Sequence, residues 1–255
     1  MGIFKNALVR LPCRNMIHGL STAGRGVPDY EKALAQHAAY TDALRACGVE
    51  VTILAADESY PDSVFIEDTA VLSEKVAVIT RPGASSRRGE EVAVAEALRW
   101  AYEQLEHIVP PGTLEGGDVL RAESQFFIGI SARTNESGAG QLAAILGKNG
   151  YSATLVPLRH VLHLKTGIAY LENSRLLASG EFINHPQLGR FHIVPVADEE
   201  SSAANSVWIN GRVLVPAGFP KTIQAIEKLG YETVPLDVSE FRKLDGGLSC
   251  LSLRF

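Results

Sequence analysis

The sequence lacks an excess of positive charge. It carries 24 lysine and arginine residues against 29 aspartate and glutamate residues, which gives a net charge of −5 at pH 7 and an isoelectric point near 5.8. Nucleic-acid binding depends on lysine and arginine clusters that neutralise phosphates. The sequence has no such cluster, and a small-molecule partner is therefore expected rather than nucleic acid.

Cysteine is scarce as well. The three cysteines, Cys13, Cys47 and Cys250, lie far apart, are odd in number, and form no CxxC or Cys/His metal-ligand spacing. We therefore expect reduced thiols and a cytoplasmic location, because disulfides persist in oxidising compartments.

A long hydrophobic run is missing from the start of the chain. The first 14 residues carry charges at Lys5, Arg10 and Arg14 and have no long apolar core. This segment fits neither a signal peptide nor a membrane span. We expect no membrane partner.

What remains is the composition of an ordinary soluble globule. The chain is 46% hydrophobic and 21% charged, with a mean hydropathy of +0.06. Its 255 residues can bury a large core. Because no linker-like stretch divides the chain, we expect one domain over residues 1–255.

Apolar alternation and helical spacing predict a repeated order of hairpin, helix and strand. The predicted helices span residues 30–47, 85–106, 134–150 and 221–229. The predicted strands span residues 3–10, 49–54, 63–72, 76–80, 112–121, 125–130, 153–158, 162–171, 175–179, 194–196, 205–209, 212–215 and 232–235. About five such units can be counted, the fifth divided between the two chain ends. The even spacing suggests a ring of repeats, although on spacing alone an ordinary mixed α/β sheet is slightly favoured.

One cysteine occupies an unusual local setting near the end of the sequence. Cys250 follows Gly246 and Gly247 and enters an alternating run with Leu251 and Leu253, so we expect it where a loop becomes a strand. Glycine lets a ligand approach the backbone closely. The residue is either a nucleophile or a cysteine that packs as a small hydrophobe.

Polar residues stand at the start of three predicted hairpins, where apolar residues are expected. PDSVFIED carries Asp62, Glu67 and Asp68, GTLEGGD carries Glu115 and Asp118, and LHLKTG carries His163 and Lys165. Singly they could face solvent, but in a ring such equivalent positions would all point to the centre. Positions where a polar residue replaces the apolar residue that the strand pattern requires tend to be functional.

A thiol, an imidazole and carboxylates together suit nucleophilic attack on an electron-poor carbon. A guanidinium matches this set, because carboxylates bind its planar fork with bidentate hydrogen bonds. A metal site built from His163, Asp68 and Glu115 is a weaker alternative, since no HExxH spacing supports it.

Arg87 and Arg133 each stand near a predicted helix start, where an arginine is unfavourable unless an anion lies near. An acid-bearing substrate would supply that anion.

Six motifs in order, PDSVFIED, RPGASSRRGE, GTLEGGD, GISARTN, LHLKTG and DGGLSC, resemble the dimethylarginine dimethylaminohydrolase family, in particular its bacterial form. The family belongs to the guanidino-modifying, or pentein, superfamily. The resemblance implies an α/β fold, the five-bladed α/β propeller of ββαβ repeats around a central active site. It also implies hydrolysis of Nω-methylated L-arginines to L-citrulline and methylamines, with no metal or organic cofactor. A homodimer is a further expectation from the family.

The resemblance also implies roles for individual residues. Cys250 would be the nucleophile, His163 the general acid and base, and Glu115 the carboxylate that orients His163. The expected substrate-binding residues are Leu20, Asp62, Phe65, Glu67, Asp68, Arg87, Arg133 and Leu244. Among these, Asp68 with Glu67 beside it would hold the guanidinium, and Arg87 and Arg133 the α-carboxylate. Asp62 and the carbonyl of Leu20 would hold the α-amine.

Two other functions fit parts of the pattern. A related guanidino enzyme, such as an arginine or agmatine deiminase or an amidinotransferase, would use the same covalent intermediate. A non-catalytic propeller that binds a partner would share the fold but lack the thiol, imidazole and carboxylates together. Zinc could also bind Cys250 and His163 incidentally, because a soft thiolate beside an imidazole suits it.

Overall fold

The computed structural model describes residues 3–255 as an α/β fold with five small mixed sheets. The strands are β1 Asn6–Arg10, β2 Glu50–Leu54, β3 Ala70–Leu72, β4 Ala77–Ile79, β5 Leu105–His107, β6 Val119–Ala122, β7 Gln125–Ile130, β8 Ser152–Pro157, β9 Ile168–Tyr170, β10 Arg175–Ala178, β11 His192–Pro195, β12 Val207–Ile209, β13 Arg212–Pro216, β14 Glu232–Leu236 and β15 Leu253–Arg254. The α-helices are α1 Tyr30–Ala46, α2 Glu90–Leu98, α3 Glu136–Lys148, α4 Leu164–Gly167, α5 Pro220–Lys228 and α6 Ser239–Arg242. The 3₁₀ turns are Arg14–His18, Ile66–Thr69, Ser85–Arg87, Gly116–Asp118, Gly180–Phe182, Pro186–Leu188, Asp198–Ala204 and Ser249–Leu251.

Each sheet has three strands in the same arrangement. The orders are β15-β1-β2, β3-β4-β5, β6-β7-β8, β9-β10-β11 and β12-β13-β14. In every sheet the first pair is antiparallel and the second pair is parallel. The five predicted units are therefore confirmed, including the one divided between the chain ends. We call β3, β6, β9, β12 and β15 the first strands.

Parallel neighbours need a crossover connection, and α-helices supply it in four of the five sheets. Helices α1, α2, α3 and α5 each join the second strand of a sheet to the third. Between β10 and β11, where every residue is described, two 3₁₀ turns make the crossover instead. The helices pack on the sheets; Leu142 and Leu146 of α3, for example, are buried with Phe126 and Ile128 of β7. Across residues 3–255, none of the helices has the length and apolar character required to cross a membrane.

Local chemistry explains several element boundaries. Asp29 caps α1, because its side chain accepts a hydrogen bond from the backbone of Lys32. Asn210 and Gly211 have φ values of 48° and 95°, as the tight turn between β12 and β13 requires. The Asp29 cap and the Asn210–Gly211 turn can both be predicted from the sequence.

The predicted helix over 85–106 is wrong at both ends. Ser85–Arg87 is a 3₁₀ turn, α2 covers Glu90–Leu98, and Leu105–His107 is strand β5. Gly89 has a φ of 114°, which interrupts any continuous helix through this point. Strand β5 exists because it pairs with β4, which is a tertiary contact that local periodicity does not reveal.

The predicted strands over 63–72, 112–121 and 162–171 begin too early. Their opening residues form the turns Ile66–Thr69 and Gly116–Asp118 and helix α4. Carboxylates bind the backbone there: Asp68 accepts from the N–H of Gly117 and Asp118 accepts from the N–H of Leu164. Such side-chain bonds compete with a strand ladder. Likewise Cys250 lies in a 3₁₀ turn, and the strand after it is only Leu253–Arg254.

Two glycine-to-alanine variants test the backbone assignment. Gly211→Ala places a Cβ at a φ of 95° and should lower the free energy of unfolding by about 1 kcal/mol. Gly140→Ala, in the exposed middle of α3 with no atom within 4 Å of the new Cβ, should raise it by roughly 0.5–1 kcal/mol. Urea denaturation measures both, and equal signs for the two variants would contradict the assignment.

Candidate active site

Most of the predicted site residues line one small cavity. They are Leu20, Asp62, Phe65, Asp68, Arg87, Arg133, His163, Leu244 and Cys250. Leu162, Asp245 and Gly246 line it too and were not predicted. Residues that are up to about 230 positions apart in the sequence therefore face one space.

Four of the predicted site residues come from the segments that lead into the first strands. Asp68 lies in the turn before β3, Glu115 precedes the turn before β6, His163 is the N-cap of α4 before β9, and Cys250 lies in the turn before β15. The segment just before a first strand therefore places a different polar side chain in each of four repeats, all at the same end of the first strands.

His163 and Glu115 form a buried pair. The Nε2 atom of His163 lies 2.8 Å from Oε2 of Glu115, whose side chain is fully buried. The other oxygen of Glu115 accepts hydrogen bonds from the backbone N–H groups of Gly83 and Ala84, and NH1 of Arg133 lies 3.5 Å from it. Glu115 therefore fixes the orientation of the imidazole.

The other face of the imidazole requires a glycine. A Cβ on Gly117 would lie 2.8 Å from Nδ1 of His163 and 2.9 Å from Oδ1 of Asp68. Gly117 also donates its N–H to Asp68 at 2.8 Å. The glycine pair of GTLEGGD therefore permits the close approach of the imidazole and the carboxylate.

Asp68 and Arg87 pair directly at the wall of the cavity. NH1 of Arg87 donates to Oδ2 of Asp68 at 2.6 Å, and its Nε and NH2 donate to Glu90. Burial raises the pKa of Asp68, but the charges of His163 and Arg87 outweigh it and lower that pKa to about 2. Asp68 is consequently ionised at any physiological pH.

The Gly-rich loop after the first 3₁₀ turn closes over the cavity from one side. The N–H of Leu20 donates to Asp62 at 3.0 Å. Ser21 donates to the carbonyl of Lys243 at 2.6 Å, and the hydroxyl of Thr22 donates to Asp245 at 3.0 Å. These exposed residues are thus tied by hydrogen bonds to Asp62, Lys243 and Asp245.

Neighbouring carboxylates raise the pKa of both the thiol and the imidazole at rest. Burial, together with the charges of Glu67 and Asp68, raises the pKa of Cys250 to about 12. Burial lowers the pKa of His163, but Asp68, Glu115 and Asp118 outweigh it and raise that pKa to about 9. At neutral pH the cavity therefore holds a thiol and an imidazolium.

Two predicted residues are not part of the cavity wall. Glu115 lies behind His163, in keeping with an orienting role. Glu67, expected as a substrate contact, does not line the cavity either: its Oε1 atom is bound by Lys165 at 2.6 Å and by Arg254 at 2.8 Å. The reason is the turn at 66–69, which directs the neighbours Glu67 and Asp68 to different sides.

One group of side chains could hold a metal ion. Ligand atoms of Asp68, Glu115 and His163 all lie within 4.8 Å of one another. Each of these residues already has a close protein partner, since His163 pairs with Glu115 and Asp68 pairs with Arg87. Ion binding would have to compete with those contacts.

Two positioning residues fell outside the predicted site. Asn205 accepts from the backbone N–H of Ser249 at 2.9 Å and donates to its hydroxyl at 3.0 Å, which fixes the turn that carries Cys250. Asp118 accepts from the N–H of Leu164 at 3.0 Å, directly after His163. The polar pattern at hairpin starts already included Asp118, and Asn205 begins the predicted strand over 205–209, so the same pattern could have indicated Asn205 as well.

Comparison with known proteins finds close relatives. The family model for N,N dimethylarginine dimethylhydrolase, eukaryotic, matches residues 28–181. The N(G),N(G)-dimethylarginine dimethylaminohydrolase of Pseudomonas aeruginosa is 50% identical over 254 residues, which cover 99% of this chain and 100% of the relative.

Solved structures are similar over their whole length. A cysteine-to-serine variant of the Pseudomonas aeruginosa enzyme, complexed with citrulline, has a TM-score of 0.98 at 49% identity and 100% coverage of both chains. A histidine-to-glycine variant of a dimethylarginine dimethylaminohydrolase, in an adduct with S-methyl-L-thiocitrulline, has a TM-score of 0.98 at 50% identity, covering 99% of this chain and 100% of the other.

The raised pKa of Cys250 predicts slow alkylation of its thiol at neutral pH. With a pKa near 12, the thiol should react with neutral iodoacetamide at pH 7.5 at least ~10-fold more slowly than free cysteine, whose pKa is about 8.5. The rate should still rise between pH 8 and pH 10. Intact-mass spectrometry follows the reaction, and Cys250→Ser protein corrects for Cys13 and Cys47. A rate that levels off below pH 8 would show a thiolate already present at rest.

Proposed function

The chain belongs to the dimethylarginine dimethylaminohydrolase family, and on this basis we propose that it hydrolyses Nω-methylated L-arginines to L-citrulline and a methylamine. The observation that carries the proposal is the cavity in which Cys250, His163 and Asp68 meet, with Glu115 behind the imidazole. All the catalytic groups are side chains of this chain. Dimethylarginine and monomethylarginine are the proposed substrates.

The substrate itself activates the nucleophile in this scheme. Carboxylates around Cys250 disfavour a thiolate, and a bound guanidinium cation offsets their charge. The thiol proton then passes to solvent as the cation binds, and the resulting thiolate faces the electron-poor guanidinium carbon. A free thiol at rest limits reaction with molecules that carry no positive charge.

His163 begins the reaction protonated, as its pKa of about 9 requires. The Cys250 thiolate attacks the guanidinium carbon and forms the C–S bond of a tetrahedral adduct. His163 donates a proton to the dimethylamino nitrogen, the C–N bond breaks, and dimethylamine leaves. An S-alkylthiouronium on Cys250 remains.

Hydrolysis of this intermediate uses the neutral imidazole that the first half produced. His163 takes a proton from water, and the hydroxide oxygen attacks the same carbon. The C–S bond breaks, the hydroxyl proton passes to the leaving sulfur, and citrulline is released. Glu115 stabilises the imidazolium at both ends of the cycle, because its carboxylate stays within 2.8 Å of Nε2.

Substrate orientation is proposed to follow the charges of the cavity. Asp68 binds the guanidinium, Arg133 and Arg87 bind the α-carboxylate, and Asp62 with the carbonyl of Leu20 binds the α-amine. Arg87 must first leave Asp68, so substrate binding exchanges one internal ion pair for two contacts with the ligand. The ring of Phe65 and the backbone of Leu244 complete the wall.

We further propose that the five sheets are the blades of a five-bladed α/β propeller in one domain over residues 1–255. Support comes from the first strands, since all five contribute residues to a single central space. A cytoplasmic location and a homodimer remain proposals from the family.

The nearest competing function is arginine deimination, and a substrate panel separates the two. We expect citrulline from dimethylarginine and monomethylarginine, with kcat/KM for arginine and for agmatine lower by at least ~10-fold. Agmatine has no carboxylate for Arg133, and a charged hydrogen bond is worth about 1.5–3 kcal/mol. Ureido product is measured for all four compounds. Faster turnover of arginine than of the methylated compounds would favour a deiminase.

The variant Arg133→Gln tests the proposed contact with the substrate α-carboxylate in the same assay. It should lower kcat/KM for dimethylarginine by about 10–100-fold, chiefly through KM, because it removes a charged contact to the carboxylate. Agmatine turnover should change little. Arg99→Gln is the matched control, because Arg99 is exposed and, among residues 3–255, forms an ion pair only with Glu96 in its own helical turn. Equal losses for both substrates would contradict the assigned contact.

Removal of the reacting groups tests the chemistry. Cys250→Ser should reduce citrulline formation at least ~1,000-fold without loss of fold, while Cys47→Ser serves as the cysteine control. His163→Gly should at most accumulate a covalent adduct, seen by intact mass as substrate minus dimethylamine added to the protein. Ordinary turnover by the Cys250→Ser protein would remove Cys250 from the mechanism.

A further inference from the structure

A second, larger cavity lies along the first strands of the five sheets. Its volume is about 730 Å³, and all of β3, β6, β9, β12 and β15 contribute to its wall. This volume lies within the range of about 300–1,000 Å³ that small-molecule sites occupy. Cys250, His163 and Asp68 do not line it, so it is distinct from the small cavity.

The floor of the large cavity has more cations than anions. Lys165 and Arg254 both bind the same oxygen of Glu67, at 2.6 and 2.8 Å. Within residues 3–255, the Nζ atom of Lys165 has no other ion-pair partner, although an ammonium group can donate three hydrogen bonds. The two cations therefore share one carboxylate, and the floor keeps a net positive charge.

Glu67 itself is incompletely satisfied. It is 3% exposed, and its Oε2 atom is buried without a hydrogen-bond partner among the described residues. Buried polar atoms in proteins are normally hydrogen-bonded. The single negative charge of Glu67 offsets only one of the two cations, Lys165 and Arg254, and a second anion can therefore pair with the other charge.

The walls and the mouth are apolar and aromatic. Val71, Leu120 and Ala169 line the walls. At the mouth, Phe255 packs against Trp100 and Tyr102 with ring centroids 5.9 and 5.8 Å apart, and Trp100 is still 64% exposed. Ligand sites typically combine such apolar surfaces with a few convergent polar groups.

We propose that this large cavity binds a small organic anion: a carboxylate that pairs with Lys165 and Arg254, carried on an apolar body that lies against the first strands and the aromatic mouth. The head group would rest directly behind the reacting side chains. Glu67 precedes Asp68, Lys165 follows His163 by two residues, and Ser249 of the wall precedes Cys250.

The probe for this site is 3-phenylpropanoate, and its neutral analogue is 3-phenylpropanamide. The chain has two tryptophans, Trp100 and Trp208, and both line the large cavity. Tryptophan emission, excited at 295 nm, should therefore change saturably as the acid is added to the full protein. The amide should bind at least ~10-fold more weakly, because it lacks the charge that pairs with Lys165. This comparison needs no variant.

Three variants locate the binding. Lys165→Met should weaken binding of the acid at least ~10-fold, while Lys165→Arg should retain it, which separates loss of charge from general damage. Lys148→Met, on the exposed end of α3, is the matched control for removal of one lysine. Arg133→Gln should leave binding unchanged, since Arg133 belongs to the small cavity.

Four results would overturn the proposal. They are the absence of a saturable change, equal affinity for acid and amide, unaltered binding by Lys165→Met protein, and loss of binding on Arg133→Gln. The last would assign the anion to the small cavity instead.

Discussion

Burial of carboxylates around one imidazole is the constraint on which the site depends. Asp68, Glu115 and Asp118 are at most 3% exposed, and an isolated buried charge costs several kcal/mol. The imidazolium of His163, the guanidinium of Arg87 and a set of backbone N–H groups offset that cost. The same arrangement keeps the Cys250 thiol protonated at rest. A flat cation is therefore the ligand that this cavity accommodates most readily.

Backbone N–H groups stabilise these buried charges. Each side chain proposed to take part in catalysis belongs to a turn or cap just before a first strand, where carboxylates accept hydrogen bonds from N–H groups that a strand would otherwise use. Gly117 serves twice, because it donates to Asp68 and also leaves room for the imidazole. The polar groups thus replace regular secondary structure over a few residues, and the first strands behind them provide the rigid support.

The position of Cys250, the proposed nucleophile, depends on the meeting of the two chain ends. Cys250 precedes β15, which pairs with β1, and β1 in turn pairs with β2. The carbonyl of Phe255 accepts hydrogen bonds from the N–H groups of Lys5 and Asn6. Asn205 then ties the turn of Cys250 to the neighbouring sheet through Ser249. A long-range assembly therefore sets the position of the thiol.

The sequence by itself determined the five units, most helix and strand locations, and the identity of the chemical groups. Local features can be predicted from the sequence, because they depend on residues that are close along the chain. Examples are the apolar periodicity, the Asp29 cap and the Asn210–Gly211 turn. The polar residues at hairpin starts also indicated Asp68, Glu115 and His163 as candidate site residues.

Only the tertiary structure decided where these groups meet and which way they face. Strand β5 arises from pairing with β4. The turn at 66–69 directs Glu67 away from Asp68, and cations of other segments bind the two carboxylates, Lys165 and Arg254 on Glu67 and Arg87 on Asp68. The pKa values of Cys250 and His163 depend on charges that distant segments bring within a few ångströms. The physical reason is that Coulomb interactions and burial depend on separation in space, which sequence separation does not encode.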